Sequence, residues 1–376
     1  MNEAYAFSAT LSGCSKRSIF QQWPMLSAEI CVRAMLHLAP ATLGHLLLGA
    51  IGRMDMVERA VALTDRIRNA SVRSFRSLAW MDANTSKANV ERMTSVTSVD
   101  GISAHLLQPA AADKSYDFLP SFSKDTGTFG RQLLEARRRR FHKLRRLIYT
   151  DPDKVNRRSE MLMPVMTVNA YYMPVFHVVV ISGATLQSPF AVEADVPAIN
   201  YGGLGRIIGH ELTHAFDVSN SYLDQHMQPF TLYSPSSRKE FLARLACLAK
   251  QQINDGSGSQ TLGNNSISEA FADSAGLEKA QLAFDAALLQ QQYETQLHGD
   301  VPGATSPLGY TAQQLFFVSS CFMFCSFQGY AFERSAVYPP PFLRCNTPVM
   351  NTRAFGAAFS CAQGAPMNPI IRCNFH

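Results

Sequence analysis

Charged side chains are scarce in this chain: Asp, Glu, Lys and Arg make up 17% of its 376 residues, against 47% hydrophobic residues. This composition excludes an intrinsically disordered chain and indicates a globular protein with a substantial core, large enough for two domains. No run of about 18 uninterrupted apolar residues occurs, so no transmembrane helix is predicted. Residues 1–12 lack the basic start and long apolar centre of a signal peptide, so none is predicted in this chain.

Cys-x-x-Cys motifs are also missing. None of the eight cysteines stands in a Cys-x-x-Cys spacing, so a cysteine-based zinc site is not indicated. Disulfide bonds are the better expectation for these cysteines. They favour an oxidising compartment and therefore an extracellular location.

The excess of basic residues is small, with a formal net charge of +5, and much of it lies between Arg137 and Arg146. Such a cluster is compatible with a nucleic-acid or acidic-membrane surface. We favour a solvated helix face, because Leu133, Phe141 and Leu144 interleave with the arginines at helical spacing. No nucleic-acid partner is predicted.

One strong chemical pattern is present, the His-Glu-x-x-His motif at His210, Glu211 and His214. Leucine, isoleucine and phenylalanine residues recur around it at near-helical spacing, which predicts a helix with both histidines on one face. Two imidazoles one turn apart can bind one Zn²⁺ and leave room for a third protein ligand and a water molecule. Glu211 is placed to take a proton from that water.

A second pair of acidic residues, Glu269 and Asp273, is also one helical turn apart. Glu269 is a candidate third zinc ligand, and Asp273 a candidate to orient a histidine. Asp217, three residues after His214, suits the same orienting task. Taken alone, a solvated helix face explains Glu269 and Asp273 better; beside the His-Glu-x-x-His motif, the metal site is favoured.

The remaining pattern predicts a mainly helical (α+β) protein with a small β-sheet. Residues 1–110 are predicted to be helical, and the β-branched run Val175–Ile181 to be a strand. An edge strand beside a zinc helix would bind an extended peptide. The side-chain amide of Asn169 is a candidate contact to the backbone of that peptide. On local evidence alone, an ordinary residue leading into a strand explains Asn169 better. Residues 315–327 are predicted to be a buried helix, and the tail to be irregular and held by cysteines.

Together these residues resemble the neprilysin family of zinc metallopeptidases. The matching segments keep their order and spacing from about residue 31 to the end: 168–172, 183–189, 208–214, 269–273, 314–317, 357–361 and 366–369. The resemblance implies a thermolysin-like zinc catalytic domain at 131–376 and part of a cleft-covering helical lobe at 1–130. It also implies one Zn²⁺ per chain, cleavage of oligopeptides before apolar residues, and a secreted protein or the ectodomain of a membrane-anchored one.

Residue roles follow from the same resemblance. The implied zinc ligands are His210, His214 and Glu269, with Glu211 as general base and Asp217 and Asp273 orienting the histidines. Asn169 and Ala170 resemble the pair that holds the peptide main chain, and Arg344 the arginine that reaches a substrate carbonyl. Ile207 and Phe324 fall where the family lines its pocket for an apolar side chain. The resemblance pairs Cys247 with Cys373, and it pairs Cys31, Cys325 and Cys361 with upstream cysteines not found in this chain.

The chain departs from the family pattern at three points. Tyr338 stands where the family has a histidine that hydrogen-bonds the oxyanion. A tyrosine hydroxyl can donate the same bond, which makes Tyr338 a catalytic candidate beside Arg344. If the hydroxyl does not reach, the loss of one such donor typically costs on the order of 10²–10³-fold in rate. Arg206 occupies a pocket position that is apolar in the family, where it would alter side-chain preference or point to solvent. The chain also begins midway through the family's helical lobe, as expected of a fragment, an incomplete gene model or a shortened form with an open cleft. A catalytically weak or inactive peptide-binding relative is therefore the alternative to an active peptidase, whereas a purely structural zinc site is disfavoured by the open, three-ligand arrangement.

Overall fold

The computed structural model describes residues 32, 34–50, 54–101, 110, 113–114, 116–121, 129–148, 167–192, 196–224, 228–254, 264–298, 309–325 and 338–375. Helices dominate these ranges, as the sequence predicts. They are α1 (Pro40–Ala50), α2 (Met54–Phe75), α3 (Ala83–Ser95), α4 (Phe129–Ile148), α5 (Pro197–Asn200), α6 (Arg206–His214), α7 (Pro235–Asn254), α8 (Asn264–His298), α9 (Ala312–Phe322), α10 (Pro341–Asn351) and α11 (Arg353–Ala358). Within the described part of the chain, no helix is long and apolar enough to cross a membrane.

Three strands form the small sheet: β1 (Thr97–Gly101), β2 (Ala170–Met173) and β3 (Val178–Ser182). The order is β1-β3-β2, and β2 runs antiparallel to β3. Every residue of β3 is buried, which explains its unbroken β-branched run.

Two predictions about this sheet were wrong in detail. The strand predicted from Val175 begins only at Val178, because Pro174–Phe176 form a 3₁₀ turn that ends at His177 with a positive φ of 50°. This strand is also central, so that β2 holds the edge position beside it. The prediction that residues 1–110 are helical missed β1.

The chain divides into two compact units. The first comprises Met1–Val57, Val99–Asn169 and Ser182–Ala184. Its described core is the cluster of Met35, Ala39 and Leu43, with further apolar side chains packed against it. On α4, Lys143 forms an ion pair with Asp117 at 3.0 Å, and Leu134 and Phe141 are exposed among the arginines.

The second unit comprises Glu58–Ser98, Ala170–Ile181 and Thr185–His376. Its centre is the packing of α6 against α8. A Cβ atom added at Gly209 would lie 2.3 Å from the main-chain oxygen of Gly276, so the helices cross where neither has a side chain. This close approach brings the His-Glu-x-x-His face of α6 against the Glu269–Asp273 turn of α8. The division into a lobe at 1–130 and a catalytic domain at 131–376 stays a prediction.

The C-terminal tail differs from its prediction. It was expected to be irregular, but α10 and α11 occupy much of it. Pro340 and Pro341 stand at the N-terminus of α10, where the missing N–H and fixed φ of proline suit a helix start. The three-proline run that signals a break in the sequence is therefore the beginning of a helix.

Candidate metal centre

The metal-binding face is positioned by a change in helix type. A π-helical segment, Tyr201–Gly205, runs directly into α6, and all five of its residues are buried. Such segments are rare and concentrate at functional sites. The sequence analysis did not predict this segment.

Three side chains converge on one point between α6 and α8. The Nε2 atoms of His210 and His214 lie 3.1 Å apart. The carboxylate of Glu269 lies 3.2 Å from the first of these nitrogens and 3.7 Å from the second. Among the described residues, these three form the cluster suited to hold a metal ion.

These distances fit a zinc ion. Tetrahedral coordination with bonds of about 2.0–2.1 Å places ligand atoms about 3.3 Å apart. His210 and Glu269 are also buried, at 8% and 9% exposure, and the Oε2 atom of Glu269 accepts no hydrogen bond within the described part of the chain. A buried carboxylate oxygen without a hydrogen-bond donor is costly unless it binds a cation.

A carboxylate holds the second ring nitrogen of each histidine. His210 Nδ1 lies 2.9 Å from Asp273 Oδ1, and His214 Nδ1 lies 3.1 Å from Asp217 Oδ2. Burial alone would raise the pKa of Asp273, but the guanidinium of Arg344 and the hydrogen bond to His210 hold it well below its usual range. An ionised carboxylate at this position keeps Nδ1 protonated and leaves Nε2 free to bind a metal.

Glu211 is buried beside this cluster. Burial raises the pKa of its carboxyl group, and the positive charge of the neighbouring histidines opposes that rise. The main-chain N–H of Tyr172, in β2, donates a hydrogen bond to the carboxylate. A carboxylate with a raised pKa, next to a metal site, is suited to accept and return a proton.

Arg92 braces the end of α6, and sequence reasoning missed it. Its guanidinium on α3 donates to the main-chain oxygens of Ala215, Leu223 and Asn220, the last at 3.0 Å. The Asn220 side chain in turn donates to the carbonyl of His214. No local pattern could indicate this role, because the partners lie more than a hundred residues away in the sequence.

Arg206 does not point to solvent. It is 1% exposed, and it donates to the carbonyl of Ser320 at 2.8 Å and to that of Arg344. Its guanidinium carbon lies 4.6 Å from the ring centre of Phe324. The predicted alternative that Arg206 points to solvent is therefore wrong. The role of this buried arginine is considered below.

Arg344 reaches the metal centre through Asp273. Its Nε and Nη2 atoms donate to the two carboxylate oxygens at 2.7 and 2.9 Å. Its guanidinium also lies over the rings of Phe324 and Tyr338, at 5.0 and 4.6 Å. Tyr338 itself is 43% exposed. Arg344 and Tyr338 are thus neighbours, and their roles towards a substrate stay predictions.

The remaining predicted substrate contacts lie on or beside described elements. Asn169 immediately precedes β2, its main-chain oxygen accepts a hydrogen bond from Ser182 at 3.2 Å, and Ala170 is the first residue of the strand. Ile207, on α6, is partly buried. Their contacts with substrate stay predictions.

Two disulfide bonds are present in the second unit. Cys247 pairs with Cys373, as the resemblance implies. Cys321 pairs with Cys345, a bond that the sequence analysis left open. Of the other cysteines in the described part of the chain, Cys325 and Cys361 form no disulfide. The predictions for positions 14 and 31 lie outside the described residues.

Two histidines on one helical turn, a glutamate from a crossing helix and a carboxylate behind each histidine define the class of histidine–carboxylate metal centres. The comparisons with known proteins agree with that class. The pattern of peptidase family M13 matches residues 169–375. The chain therefore belongs to peptidase family M13, a family of metallopeptidases, and the resemblance to the neprilysin family is confirmed.

Individual relatives point the same way. Endothelin-converting enzyme 1 of Bos taurus is 27% identical over 96% of this chain and 46% of its own length. An endothelin-converting enzyme homolog of Locusta migratoria is 29% identical over 83% of this chain and 41% of its own length. The Mycobacterium tuberculosis zinc metalloprotease Zmp1 in its open state superposes with a TM-score of 0.69 at 26% identity, over 93% of this chain and 52% of that one. The chain thus spans about half the length of the relatives it matches.

Proposed function

We propose that this chain carries the catalytic machinery of a zinc-dependent metalloendopeptidase, which hydrolyses oligopeptides on the N-terminal side of apolar residues. The observation that carries this proposal is the convergence of His210, His214 and Glu269, with ligand atoms spaced for one Zn²⁺. Membership of a metallopeptidase family supports it. The name of the Mycobacterium tuberculosis relative, a zinc metalloprotease, supports the choice of metal.

These three residues would hold one Zn²⁺ per chain. When bound, the ion would supply a Lewis acid that lowers the pKa of a water molecule and polarises the scissile carbonyl. The buried acidic side chains around the site make it electrostatically suited to a divalent cation. Asp217 and Asp273 would keep the imidazoles in the required tautomer and orientation.

Glu211 would act as general base and then as general acid. It takes a proton from the attacking water and delivers it to the leaving amine, a task that its raised pKa favours. The hydrogen bond from the Tyr172 main chain would fix the carboxylate between those two positions. Arg344 would stabilise the charge that develops on the substrate carbonyl, with Tyr338 as a further hydrogen-bond donor.

Asn169 and Ala170 would hold the main chain of the peptide. They lie at the start of β2, the strand that packs against α6 and carries the hydrogen bond to Glu211. Ile207 and Phe324 would line the pocket for an apolar side chain. Arg206 would act on that pocket through Phe324, because its guanidinium lies 4.6 Å from the ring centre while it donates to two main-chain carbonyls.

The two disulfide bonds support an oxidising compartment. We therefore place the protein outside the cell, as a secreted protein or as the ectodomain of an anchored form. Residues 1–130 would contribute to a lobe over the cleft, and 131–376 would carry the catalytic domain.

The alternative is a catalytically weak or inactive relative that binds peptides. Tyr338 favours it, because its partly exposed ring lies over Arg344 where the family has a histidine. Zinc-loaded protein that binds peptides without cleaving them would support this alternative, and Tyr338→His would then restore cleavage.

The test of the proposed peptidase is Glu211→Gln. The amide cannot accept the proton, so we expect the turnover of a fluorogenic peptide to fall by about 10²–10⁴-fold or more. The zinc content should remain that of the wild type, because Glu211 is not a proposed ligand. The matched control is Glu240→Gln, an exposed glutamate on α7 paired with Arg244, which should leave both values unchanged. Full activity of Glu211→Gln would refute the base assignment.

A further inference from the structure

Arg206 caps two carbonyl groups that their own helices leave without donors. In α10 the carbonyl of Arg344 would normally accept the N–H of residue 348, but Pro348 has no N–H. Near the end of α9 the N–H of Phe324 turns to Cys321 at 3.0 Å, so it does not serve Ser320. The Arg206 guanidinium donates to both of these carbonyls. This side chain therefore joins the ends of two helices.

The same two helices are joined covalently at the next residue of each. Ser320 precedes Cys321, and Arg344 precedes Cys345, and the two cysteines form a disulfide with a Cα–Cα distance of 5.1 Å. The buried Arg206 guanidinium and the disulfide thus connect α9 and α10 at adjacent residues of each helix. Phe324 closes the arrangement, because the guanidinium groups of Arg206 and Arg344 both lie within 5.0 Å of its ring centre.

The main chain fixed in this way carries the arginine that holds the metal centre. The side chain of Arg344 binds both oxygens of Asp273, and Asp273 in turn binds His210 Nδ1 at 2.9 Å. A contiguous series of contacts therefore leads from Arg206 through Arg344 and Asp273 to a predicted zinc ligand. None of its steps exceeds ordinary hydrogen-bond length.

We propose that Arg206 and the Cys321–Cys345 disulfide form a clamp that positions Arg344 against Asp273 and so sets the orientation of His210. Arg206 is a positioning residue in this proposal, since its guanidinium is buried and donates to two main-chain carbonyls. The proposal rests on the proposed function, because the benefit of a fixed His210 is zinc binding and catalysis.

The experiment compares Arg206→Met and Arg206→Lys with the wild type in the full chain. Methionine keeps much of the volume and removes both hydrogen bonds, whereas lysine keeps the charge and can reach one carbonyl. We expect Arg206→Met to weaken zinc binding by about 10–100-fold in a chelator competition, as for other losses of histidine orientation. It should lower kcat more than it raises KM, and Arg206→Lys should recover part of both losses. Arg244→Met, which removes an arginine stacked on Trp80, is the control and should bind zinc normally.

The disulfide provides an independent arm. Cys321→Ser/Cys345→Ser should weaken zinc binding in the same direction. Adding Arg206→Met to that background should cost less than it costs the wild type, because the two changes disrupt one clamp. Mild reduction of the wild-type protein tests the bond without a substitution, and Arg206→Met should speed its reduction.

A lowered melting temperature with wild-type zinc affinity in Arg206→Met would overturn the proposal, since the residue would then serve stability alone. Strict additivity of the two changes would overturn the shared clamp. A wild-type protein that binds zinc but cleaves no peptide would contradict the proposed function only. The zinc affinities of the variants would still decide on the clamp.

Discussion

Each histidine of the metal centre is held by a carboxylate, and the two carboxylates differ in what else they bind. Asp217 also accepts the main-chain N–H of Asn220 at 2.9 Å, whereas Asp273 also binds the side chain of Arg344. The two aspartates are therefore not equivalent. Loss of charge at Asp273 affects a histidine and a buried arginine at once.

Asp273→Asn should weaken zinc binding by roughly 10–100-fold, since the amide neither fixes the tautomer of His210 nor neutralises Arg344. Asp217→Asn should have a smaller effect, because the other partner of Asp217 is the neutral main-chain N–H of Asn220 and not a buried arginine. Chelator competition measures both. Asp285→Asn, further along α8 and bonded to Gln313, is the control with an expected wild-type affinity. Equal effects of Asp217→Asn and Asp273→Asn would argue against a role for Arg344.

Lys279 is a buried cation that the proposed reaction does not use. It is 2% exposed on α8, with its Nζ atom 3.3 Å from the carbonyl of Ala275 and 5.8 Å from the ring centre of Phe75. Burial lowers its pKa from an ordinary value of 10.5 to about 7. Between these two values the unfolded chain binds more protons than the folded one, so the stability of the fold rises with pH across that window.

Lys279→Met should therefore stabilise the protein, by roughly 1–3 kcal/mol at pH 7, because it removes the cost of burying this amine. The gain should be largest at pH 7 and below, and should shrink towards pH 10. Urea unfolding at pH 6.5 and 9.5 measures it, with the exposed Lys250→Met as control. An equal gain at both pH values would contradict the linkage.

At the scale of single residues, the sequence indicates the candidate metal-site residues more readily than the arginines that hold the surrounding main chain. Helical spacing predicted that His210 and His214 share a face, and the motif drew Glu269 into the same predicted site. The structure brings the three side chains together, and their role as zinc ligands stays a prediction. Arg92 and Arg206 could not be selected in that way. Their hydrogen bonds go to main-chain carbonyls far along the chain, and such partners leave no pattern in the sequence.

The crossing of α6 and α8 is the element-scale feature on which the site depends. The two helices approach so closely that a Cβ atom at Gly209 would meet the main-chain oxygen of Gly276 at 2.3 Å. Main-chain atoms cannot rotate away as a side chain can. The helices would have to separate, and the histidines would then move away from Glu269.

Gly209→Ala should therefore destabilise the fold by about 1–3 kcal/mol and weaken zinc binding, as overpacking at this crossing predicts. Gly130→Ala is the matched control, because that helical glycine of α4 has nothing within 4 Å of an added Cβ. Alanine there should be neutral or stabilising by up to about 1 kcal/mol. Chemical unfolding and chelator competition measure the pair of variants. Normal zinc affinity in Gly209→Ala would show that the crossing tolerates a wider spacing.

Helices and strands were predicted unequally well. Periodicity correctly predicted the helix of the arginine cluster, α4, and the His-Glu-x-x-His helix, α6. The short strand β1 was missed, since Thr97–Gly101 has too few apolar residues to alternate visibly. The prediction of an irregular C-terminal tail was wrong because a run of prolines is compatible both with a break in secondary structure and with the start of a helix.

At the scale of the molecule, the two disulfides of the second unit close loops of very different length. Cys247 and Cys373 are 126 residues apart, whereas Cys321 and Cys345 are 24 apart. The longer loop costs the unfolded chain more entropy when it is closed. The shorter loop is closed by Cys321–Cys345, the disulfide of the proposed clamp.

Removal of the longer-loop disulfide should therefore mainly lower the free energy of unfolding, whereas removal of the shorter-loop disulfide should mainly lower the zinc affinity. Cys247→Ala/Cys373→Ala should lower the free energy of unfolding by about 2–5 kcal/mol, and by more than Cys321→Ala/Cys345→Ala does. The second pair should instead lose more zinc affinity. Thermal unfolding and chelator competition on both double variants test the crossed result. The same ranking in both measurements would contradict a separate role for the shorter loop.

The central proposal is that this chain, which belongs to peptidase family M13, has zinc peptidase activity. The most direct measurement is the cleavage of a mixed peptide library by zinc-loaded protein, with products sequenced by mass spectrometry, before and after chelation. We predict one zinc per chain and new N-termini that begin with apolar residues. Chelation should abolish cleavage, and added zinc should restore it. One bound zinc without chelator-sensitive cleavage would contradict the claim.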